Sequence, residues 1–169
     1  MAQQAQVEEG SGSEVISLSE AKDYLRVDFD TDDTYITDLI KIARMQVFKD
    51  TNTAVVETDI TEYFDRWPNN NIINLKYSGT LKDTMSVKYY DSSNTLITLV
   101  KDTDYRAINY MGMPKIEMIN TPNLFDRLNA IQIAYAVEPY SEDETKPLKI
   151  AMYMLIQHFY DNRSPVSYL

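Results

Sequence analysis

The 169-residue chain contains no cysteine, so neither a disulfide nor a thiolate metal site is available to it. Its only histidine is His158, and a zinc site or a Ser–His–acid relay would have to use that residue. Only four glycines occur, and none belongs to a glycine-rich phosphate loop. No apolar run approaches the roughly 18 residues that a membrane span needs. These absences leave few routes to enzyme chemistry or to membrane insertion.

Basic residues are also scarce, because 16 Lys and Arg face 26 Asp and Glu and the formal net charge is −10. Affinity for DNA comes largely from Lys and Arg side chains that neutralise phosphates, so this chain is a poor candidate for gripping nucleic acid. The acidic surface has two interpretations that the sequence leaves open. It keeps the protein soluble, or it lines a passage through which a duplex slides without sticking.

The first 14 residues, MAQQAQVEEGSGSE, contain almost nothing that could be buried. Segments rich in Gln, Glu, Gly and Ser stay disordered because they bury too little apolar surface to offset the entropy lost on ordering. We therefore predict that residues 1–14 are a flexible tail. They also lack the basic and apolar regions of a secretory signal, so we expect synthesis in the cytoplasm.

Residues 15–56 carry the pattern of two amphipathic helices. Ser17 and Glu20 have the spacing of a capping box at the start of the first helix. The Asp and Thr residues of the segment 28–31 favour a turn, and a second helix is predicted from about residue 32 to residue 49. Its apolar arc contains Tyr35, Ile36, Leu39, Ile40, Ile42, Ala43 and Val47. We expect this arc to pack into a core.

From residue 57 to residue 138 the hydrophobic period changes to two, which is typical of β-strands. About seven short strands are predicted, separated by turn residues such as those of the hairpin signal at 91–94. Short turns between consecutive strands favour antiparallel pairing. The predicted fold class is therefore α+β, with the helices from both chain ends packed together and a mostly antiparallel β insert between them.

The closing segment, residues 139–169, is predicted to contain an acidic linker, a helix and a C-terminal tail. The linker extends to Lys146, Pro147 begins the helix, and Asn162 is expected to end it in the left-handed conformation. One apolar stripe consists of Leu148, Ala151, Met152, Leu155 and Phe159. The opposite face is also apolar, through Ile150, Tyr153, Met154 and Tyr160. Because a helix that is apolar nearly all round is normally buried on both sides, we expect the second face to contact a neighbouring subunit.

Two features suggest a metal or catalytic site, and both have a simpler explanation. The alternate aspartates of residues 28–32 imitate the start of a calcium loop, but Asp33 and Leu39 stand where an EF-hand requires Gly and Glu. We expect these carboxylates to cap helices. His158 has no catalytic partner near it on the predicted helix, so we expect a partly buried packing residue. We predict no catalytic residue, no metal and no cofactor.

The 13 tyrosines are the most unusual feature of the composition. Tyrosine combines an apolar ring with a polar tip and is enriched at protein interfaces. Together with Trp67, the tyrosines could instead form a carbohydrate platform. The sequence favours the interface and leaves the platform open.

The closing helix, P-x-K-x-A-x-x-x-L-I-x-H-F-Y-D-N-R at 147–163, resembles the last helix of tailed-phage head–tail connector proteins. These are also called adaptor or head-completion proteins. The segment L-x-E-A-K-x-x-L-R-V-D at 18–28 resembles the opening signature of the longer members. Segments similar to Y-F-D-x-W-P at 63–68 and S-V-K-Y-Y-D at 86–91 follow in the same order. The resemblance covers residues 15–163.

Two turns depart from the family pattern. The family often has Gly in the hairpin where this chain has Ser92-Ser93-Asn94, and again after the last strand, where this chain has Ala136-Val137-Glu138. Glycine permits a positive φ that Ala and Val avoid, so the turn types at these positions are left open.

The resemblance implies a structural virion protein and not an enzyme. It implies a connector in the virion neck, assembled in the cytoplasm of the bacterial host. In such a neck the chain forms a homo-oligomeric ring, with twelve copies as the implied number, between the portal protein and a tail-completion or stopper protein. DNA passes through the ring without specific binding, and no membrane takes part.

Two sets of residues follow as expected sites. The subunit or portal interface is expected at Ile150, Tyr153, Met154, Tyr160, Asn162, Arg163, Tyr168 and Leu169. The channel wall is expected at Glu138, Glu142, Asp143 and Glu144, which could equally face bulk solvent. An alternative function is a tyrosine-rich β module that binds a carbohydrate or protein ligand on a helical scaffold.

Overall fold

The computed structural model describes residues 3–9, 13–110 and 112–163, which divide into two compact units. The helical unit comprises the described residues within Gly12–Val56 and Tyr140–Leu169. The β unit comprises those within Met1–Ser11 and Glu57–Pro139. The fold is α+β, with helices from both chain ends in one unit and antiparallel sheets in the other, which confirms the predicted fold class.

The helical unit contains three helices, α1 (Leu18–Leu25), α2 (Asp33–Thr51) and α3 (Glu142–Asp161). The predicted capping box of α1 is confirmed, because Ser17 Oγ accepts from the Glu20 backbone N–H at 3.2 Å and Glu20 Oε2 accepts from the Ser17 N–H at 2.8 Å. Arg26 then adopts the left-handed conformation, with φ 58°, and ends α1. Satisfying the free N–H groups of the first turn fixes where this short helix begins.

The helix α3 begins five residues earlier than the sequence predicted. Residues 142–146, predicted to be linker, form its first turns behind Ser141, whose backbone N–H and Oγ both donate to Glu144 Oε2. Three acidic residues near the positive helix start favour this extension, and Pro147 is accommodated inside the helix. The prediction for Asn162 was also wrong, since its φ is −111° and the helix ends with its N–H donating to the His158 carbonyl oxygen.

The three helices share one hydrophobic core. It consists of Ile16, Ala21, Ile36, Leu39, Ile40, Ala43, Val47, Val55, Met152 and Ile156. Tyr35, near the start of α2, donates its hydroxyl to the Phe159 carbonyl oxygen near the end of α3 at 3.2 Å. The two long helices therefore run in opposite directions. Arg44, almost buried on α2, forms an ion pair with Glu14 at 2.9 Å.

The β unit contains two antiparallel sheets. The six-stranded sheet has the order β1-β2-β9-β5-β6, with β4 also paired to β9, and the three-stranded sheet has the order β3-β8-β7. The strands are β1 (Gln3–Glu9), β2 (Thr58–Phe64), β3 (Ile72–Asn74), β4 (Thr80–Leu81), β5 (Ser86–Tyr90), β6 (Leu96–Thr98), β7 (Tyr105–Tyr110), β8 (Met113–Met118) and β9 (Ile131–Glu138). The described residues thus hold nine strands, against about seven predicted.

The strand β1 corrects the prediction of a flexible tail over residues 1–14. It pairs with β2 along its whole length, from Gln3 opposite Phe64 to Glu9 opposite Thr58. Pairing at a sheet edge is made by backbone N–H and C=O groups, so a polar strand can fill it without burying apolar side chains. Composition alone was therefore a poor guide to this segment.

The hairpin between β5 and β6 confirms the predicted turn. Asp91 Oδ1 accepts from the N–H groups of Ser93 and Thr95, both at 2.9 Å. Asn94 adopts the left-handed conformation with φ 58°, which asparagine tolerates better than most residues. Asparagine thus supplies the positive φ that a glycine would otherwise provide.

Candidate subunit interface

The outward face of α3 carries two exposed apolar side chains. Ile150 is 59% exposed and Met154 is 62% exposed, and they lie one helical turn apart. The same helix buries Met152 and Ile156 completely on its opposite side. More than half of the Ile150 and Met154 surface still contacts water, so burying it would stabilise an assembly.

The two tyrosines predicted to share this face pack onto their own helical unit. Tyr153 stacks on Tyr24 of α1, with ring centroids 4.8 Å apart and planes 23° apart. Burial raises the pKa of the Tyr153 hydroxyl. Tyr160 is half-buried, and its hydroxyl donates to Asp32 Oδ2 at 2.7 Å. The predicted second face is therefore narrower than the sequence indicated, with Ile150 and Met154 at its centre.

Arg163 is held at the end of α3 by contacts within the helical unit, one of which is the hydrogen bond from its Nε to the Tyr160 carbonyl oxygen at 3.2 Å. Its Nη2 donates to Asp32 Oδ2 at 2.5 Å, and its guanidinium lies over the rings of Tyr160 and Tyr35 at 4.2 and 4.9 Å. The hydrogen bond from Arg163, with a second from Tyr160, holds the pKa of Asp32 below its usual range. Cation and carboxylate together tie the end of α3 to the start of α2.

The remaining interface candidates lie at or beyond the end of α3. The Asn162 side-chain amide donates to the His158 carbonyl oxygen at 2.8 Å, which closes the helix. Tyr168 and Leu169 lie outside the described residues. His158 itself is exposed, so the prediction of a partly buried histidine was wrong. It lies on the flank of α3 that turns away from the shared core.

The four acidic candidates for a channel wall do not lie on one element. Glu138 is the last residue of β9 in the β unit, whereas Glu142, Asp143 and Glu144 form the first turn of α3 in the helical unit. Glu138 is 3.4 Å from Lys82. Asp143 is 2.5 Å from Lys146, and Glu144 caps its own helix. All four side chains are exposed.

Three aspartates of the 28–33 segment, Asp30, Asp32 and Asp33, are engaged by cations and hydroxyls of the helical unit. Lys22 Nζ lies 2.7 Å from both Asp30 and Asp33. Asp32 accepts from Tyr160 and Arg163. Among the described residues, no group of three or more His, Asp or Glu side chains is arranged to hold a metal ion. In the same part of the chain, no helix has the length and apolar character needed to cross a bilayer.

Comparisons with known proteins find the fold but no sequence relative. No protein-family model and no curated protein matches the chain. Among the solved structures that match, three align with nearly all of it. One is a chain from the neck of an empty gene transfer agent (GTA) particle computed with C6 symmetry. The alignment covers 98% of the present chain and 88% of the neck chain, at 13% identity and TM-score 0.74.

The other two matches come from related particles. One is a chain from the virion of a native gene transfer agent (GTA) particle, at 15% identity and TM-score 0.71, with 96% and 88% of the two chains covered. The other is a chain from the neck of a native GTA particle computed with C12 symmetry, at 12% identity and TM-score 0.62, with 97% and 87% covered.

The chain has the fold of a gene transfer agent neck chain. Identities of 12 to 15% establish the shared fold alone. The matches cover 96 to 98% of this chain, so each includes residues of both units.

In this neck-type fold, sequence reasoning missed a second outward apolar pair. Ile42 was predicted to join the core arc of α2, but it is 47% exposed. Met45, which the pattern did not single out, is 52% exposed. The sequence does contain a signal for the exposure of Met45. Residues two positions apart lie on nearly opposite sides of a helix, and Met45 is two positions from both Ala43 and Val47, which are buried.

The aromatic rings around Trp67 leave little open aromatic area for a sugar. An open cleft of about 600 Å³ is lined by Asp65, Arg66, Trp67, Asn69, Asp126, Arg127 and Leu128. The indole N–H of Trp67 donates to the Pro122 carbonyl oxygen at 2.8 Å, and its ring lies against Tyr89. The guanidinium of Arg127 lies over the Tyr90 ring at 3.9 Å. These aromatic faces already have partners within the β unit.

Proposed function

We propose that the chain is a structural connector of a phage-like virion neck, where copies form a closed ring between the portal protein and a tail-completion or stopper protein. The observation that carries the proposal is the fold, which is shared over 96 to 98% of the chain with neck and virion chains of gene transfer agents. The sequence resemblance to head–tail connectors supports the same role independently.

Cyclic assembly is supported by the symmetry of the fold neighbours. Two of them belong to necks computed with C6 and C12 symmetry. Both symmetries are compatible with twelve copies, which is the ring size we propose. The outward apolar pair Ile150 and Met154 supplies a surface that gains from contact with another copy.

The role we propose is structural and not enzymatic. The sole histidine, His158, is exposed. Its Nδ1 lies 3.4 Å from the side-chain amide nitrogen of Asn162, the residue that ends the same helix. The perturbed pKa values of Asp32 and Glu20 have structural causes, in ion pairs and hydrogen bonds that tie the helices together. The hydroxyls next to these groups, those of Tyr160 and Ser17, donate to Asp32 and Glu20 within the same contacts between helices and at the helix cap.

We propose that Asn162, Arg163 and the tail that follows contact the portal. Arg163 is anchored to Asp32, which supports the proposal because it holds the residue that precedes the tail on the helical unit. The channel wall remains a proposal for Glu138, Glu142, Asp143 and Glu144. Their exposure supports it, and repulsion between carboxylates and phosphates would let a duplex pass without a preferred register.

The test is the mass and shape of the purified protein alone and with the portal protein of the same particle. We expect a closed ring by negative-stain electron microscopy, and co-elution with the portal as a complex of cyclic symmetry. Assembly in the host cytoplasm would be checked by recovering the complex before tails are joined. A chain that stays monomeric at all concentrations, with the portal and without it, would refute the proposed function.

A further inference from the structure

Two outward apolar pairs lie on different helices of the helical unit. The α2 pair is Ile42 and Met45, and the α3 pair is Ile150 and Met154. Their side chains are between 47 and 62% exposed. Each pair combines one isoleucine with one methionine on adjacent turns. The two pairs therefore match in chemistry and in size.

The pairs face away from each other within one copy. The helix α2 buries Ile36, Ile40 and Ala43 in the core that it shares with α3, and α3 buries Met152 and Ile156 in the same core. Each outward pair lies on the opposite side of its own helix from these buried residues. One copy cannot bring its own two pairs together.

A cyclic ring needs two different surfaces on every copy, because each interface joins the leading face of one subunit to the trailing face of the next. We propose that the α2 pair of one copy packs against the α3 pair of its neighbour, at the centre of the ring interface. This inference rests on the proposed ring and adds to it the surface that accepts α3.

The charges along the two outward faces also complement each other. Asp38, Lys41 and Lys49 surround the α2 pair and sum to +1. Asp143, Lys146 and Asp161 lie along the outward side of α3 and sum to −1. All six side chains are exposed. A second copy of this chain thus offers opposite net charge as well as apolar area.

The apolar pairs form the centre of the contact and not its whole area. A stable interface buries about 800 Å² on each partner, which is more than four side chains provide. Interfaces commonly consist of a few well-packed apolar residues within a polar rim that excludes water. The charged residues beside both pairs are suited to that rim.

The absence of cysteine makes a direct test possible. Met45→Cys and Met154→Cys are made as single variants, mixed and oxidised in the assembled state. We expect disulfide-linked dimers from the mixture and none from either variant alone, because the interface joins unlike faces. The double variant should give a ladder of covalent oligomers that ends at the ring. A matched control combines Met45→Cys with Asp23→Cys on the exposed side of α1 and should give no ladder.

Charge variants provide a second readout. Met45→Lys and Met154→Glu should each raise the protein concentration required for ring formation at least tenfold. The double variant should lower that concentration again. Self-linked dimers from either single cysteine variant would overturn the inference, as would rings that form normally but fail to cross-link in the mixture. In that case the ring itself would stand. A wild-type chain that forms no ring would overturn both proposals.

Discussion

Glu62 is the most deeply buried charged side chain among the described residues. It lies on β2 with no exposed surface, and its Oε1 accepts from the Tyr135 hydroxyl at 2.5 Å and from the Lys76 backbone N–H at 2.8 Å. Burial, with a further contribution from the Glu62 charge, raises the pKa of Tyr135, so this hydroxyl stays protonated and remains a donor. A buried carboxylate persists only where such donors replace water. Glu62 therefore ties β2 to β9 and to the segment before β4.

The first prediction concerns Tyr135→Phe. Removing the hydroxyl leaves the buried Glu62 carboxylate with one fewer donor, so the free energy of unfolding should fall by about 1–3 kcal/mol. Urea unfolding followed by circular dichroism measures this change. Tyr110→Phe is the control, since that ring is 61% exposed and its loss of a hydroxyl should change stability by less than about 0.5 kcal/mol. Equal effects in the two variants would contradict the role given to Glu62.

The second prediction concerns Glu20 and acid stability. A hydrogen bond from Lys149, with others from Ser17, lowers the pKa of Glu20 from its ordinary 4.5 to about 2. A lowered folded-state pKa means that the unfolded chain takes up the proton first as the pH falls. The stabilisation is therefore complete above pH 4.5 and is lost between pH 4.5 and about 2. Because the side chain is 45% exposed, solvent screening limits the effect to about 1 kcal/mol or less.

The measurement is the melting temperature of the wild type and of Glu20→Gln across this pH range. We expect the variant to be less stable at pH 7 and to lose less stability on acidification. Glu142→Gln is the control, because it removes an exposed carboxylate of the same unit and leaves the hydrogen bond between Lys149 and Glu20 in place. Parallel curves for Glu20→Gln and the wild type would contradict the prediction.

At the scale of the element, α3 combines two kinds of surface that its sequence does not distinguish. Tyr153 and Tyr160 were expected to face outward together with Ile150 and Met154. The structure instead stacks Tyr153 on Tyr24 and bonds Tyr160 to Asp32. Aromatic rings reach further around a helix than aliphatic side chains do, so a tyrosine on the flank can join the core while its hydroxyl stays near water.

The third prediction separates these two surfaces. Met154→Glu should change the free energy of unfolding of the monomer by less than about 0.5 kcal/mol, because the side chain is exposed there, and should still weaken ring assembly. Tyr153→Glu should destabilise the monomer by about 1–3 kcal/mol, because it places a charge against Tyr24. Thermal melts of the monomer and analytical ultracentrifugation of the assembly measure the two effects. If Met154→Glu unfolds early and yet assembles when folded, α3 has no outward interface.

At the scale of the whole molecule, the charge balance sets the relation to DNA. The chain has ten more acidic than basic residues, and several of its cations are already engaged. Lys22 binds two aspartates, Lys82 lies between Glu57 and Glu138, and Arg163 binds Asp32. Phosphate contacts need Lys and Arg side chains that are free to displace counterions.

The fourth prediction is that the free subunit has no measurable affinity for duplex DNA at physiological salt. A gel-shift titration at low and at physiological salt tests it. We expect no shift at physiological salt, and at most weak binding without a steep salt slope when the salt is low. Binding that falls by orders of magnitude as salt rises would reveal several phosphate contacts and would favour a role in gripping DNA.

The sequence by itself determined the local features of this protein. The capping box of Ser17 and Glu20 and the hairpin turn at 91–94 each depend on residues close together in the chain. The change of period from helical to alternating also depends only on neighbouring residues, and it was enough to predict an α+β fold with helices at both ends. The start of α3 was predicted wrongly because the acidic segment was interpreted as a linker. Ser141 and Glu144 have the same capping-box spacing as Ser17 and Glu20, so the sequence did contain the signal.

Only the tertiary structure decided which side chains are buried and which are exposed. The strand β1 pairs with β2, and Glu62 is buried beside Tyr135, so both features bring together residues that are distant in sequence. Ile42 is exposed because no distant part of the chain covers it within the described residues. The burial of these residues depends on what the rest of the chain places beside them. A helix pattern shows which residues are apolar, but the number and direction of its neighbours decide which of them are covered. For that reason the candidate interface, Ile42 and Met45 with Ile150 and Met154, became visible only once the three helices had been packed together.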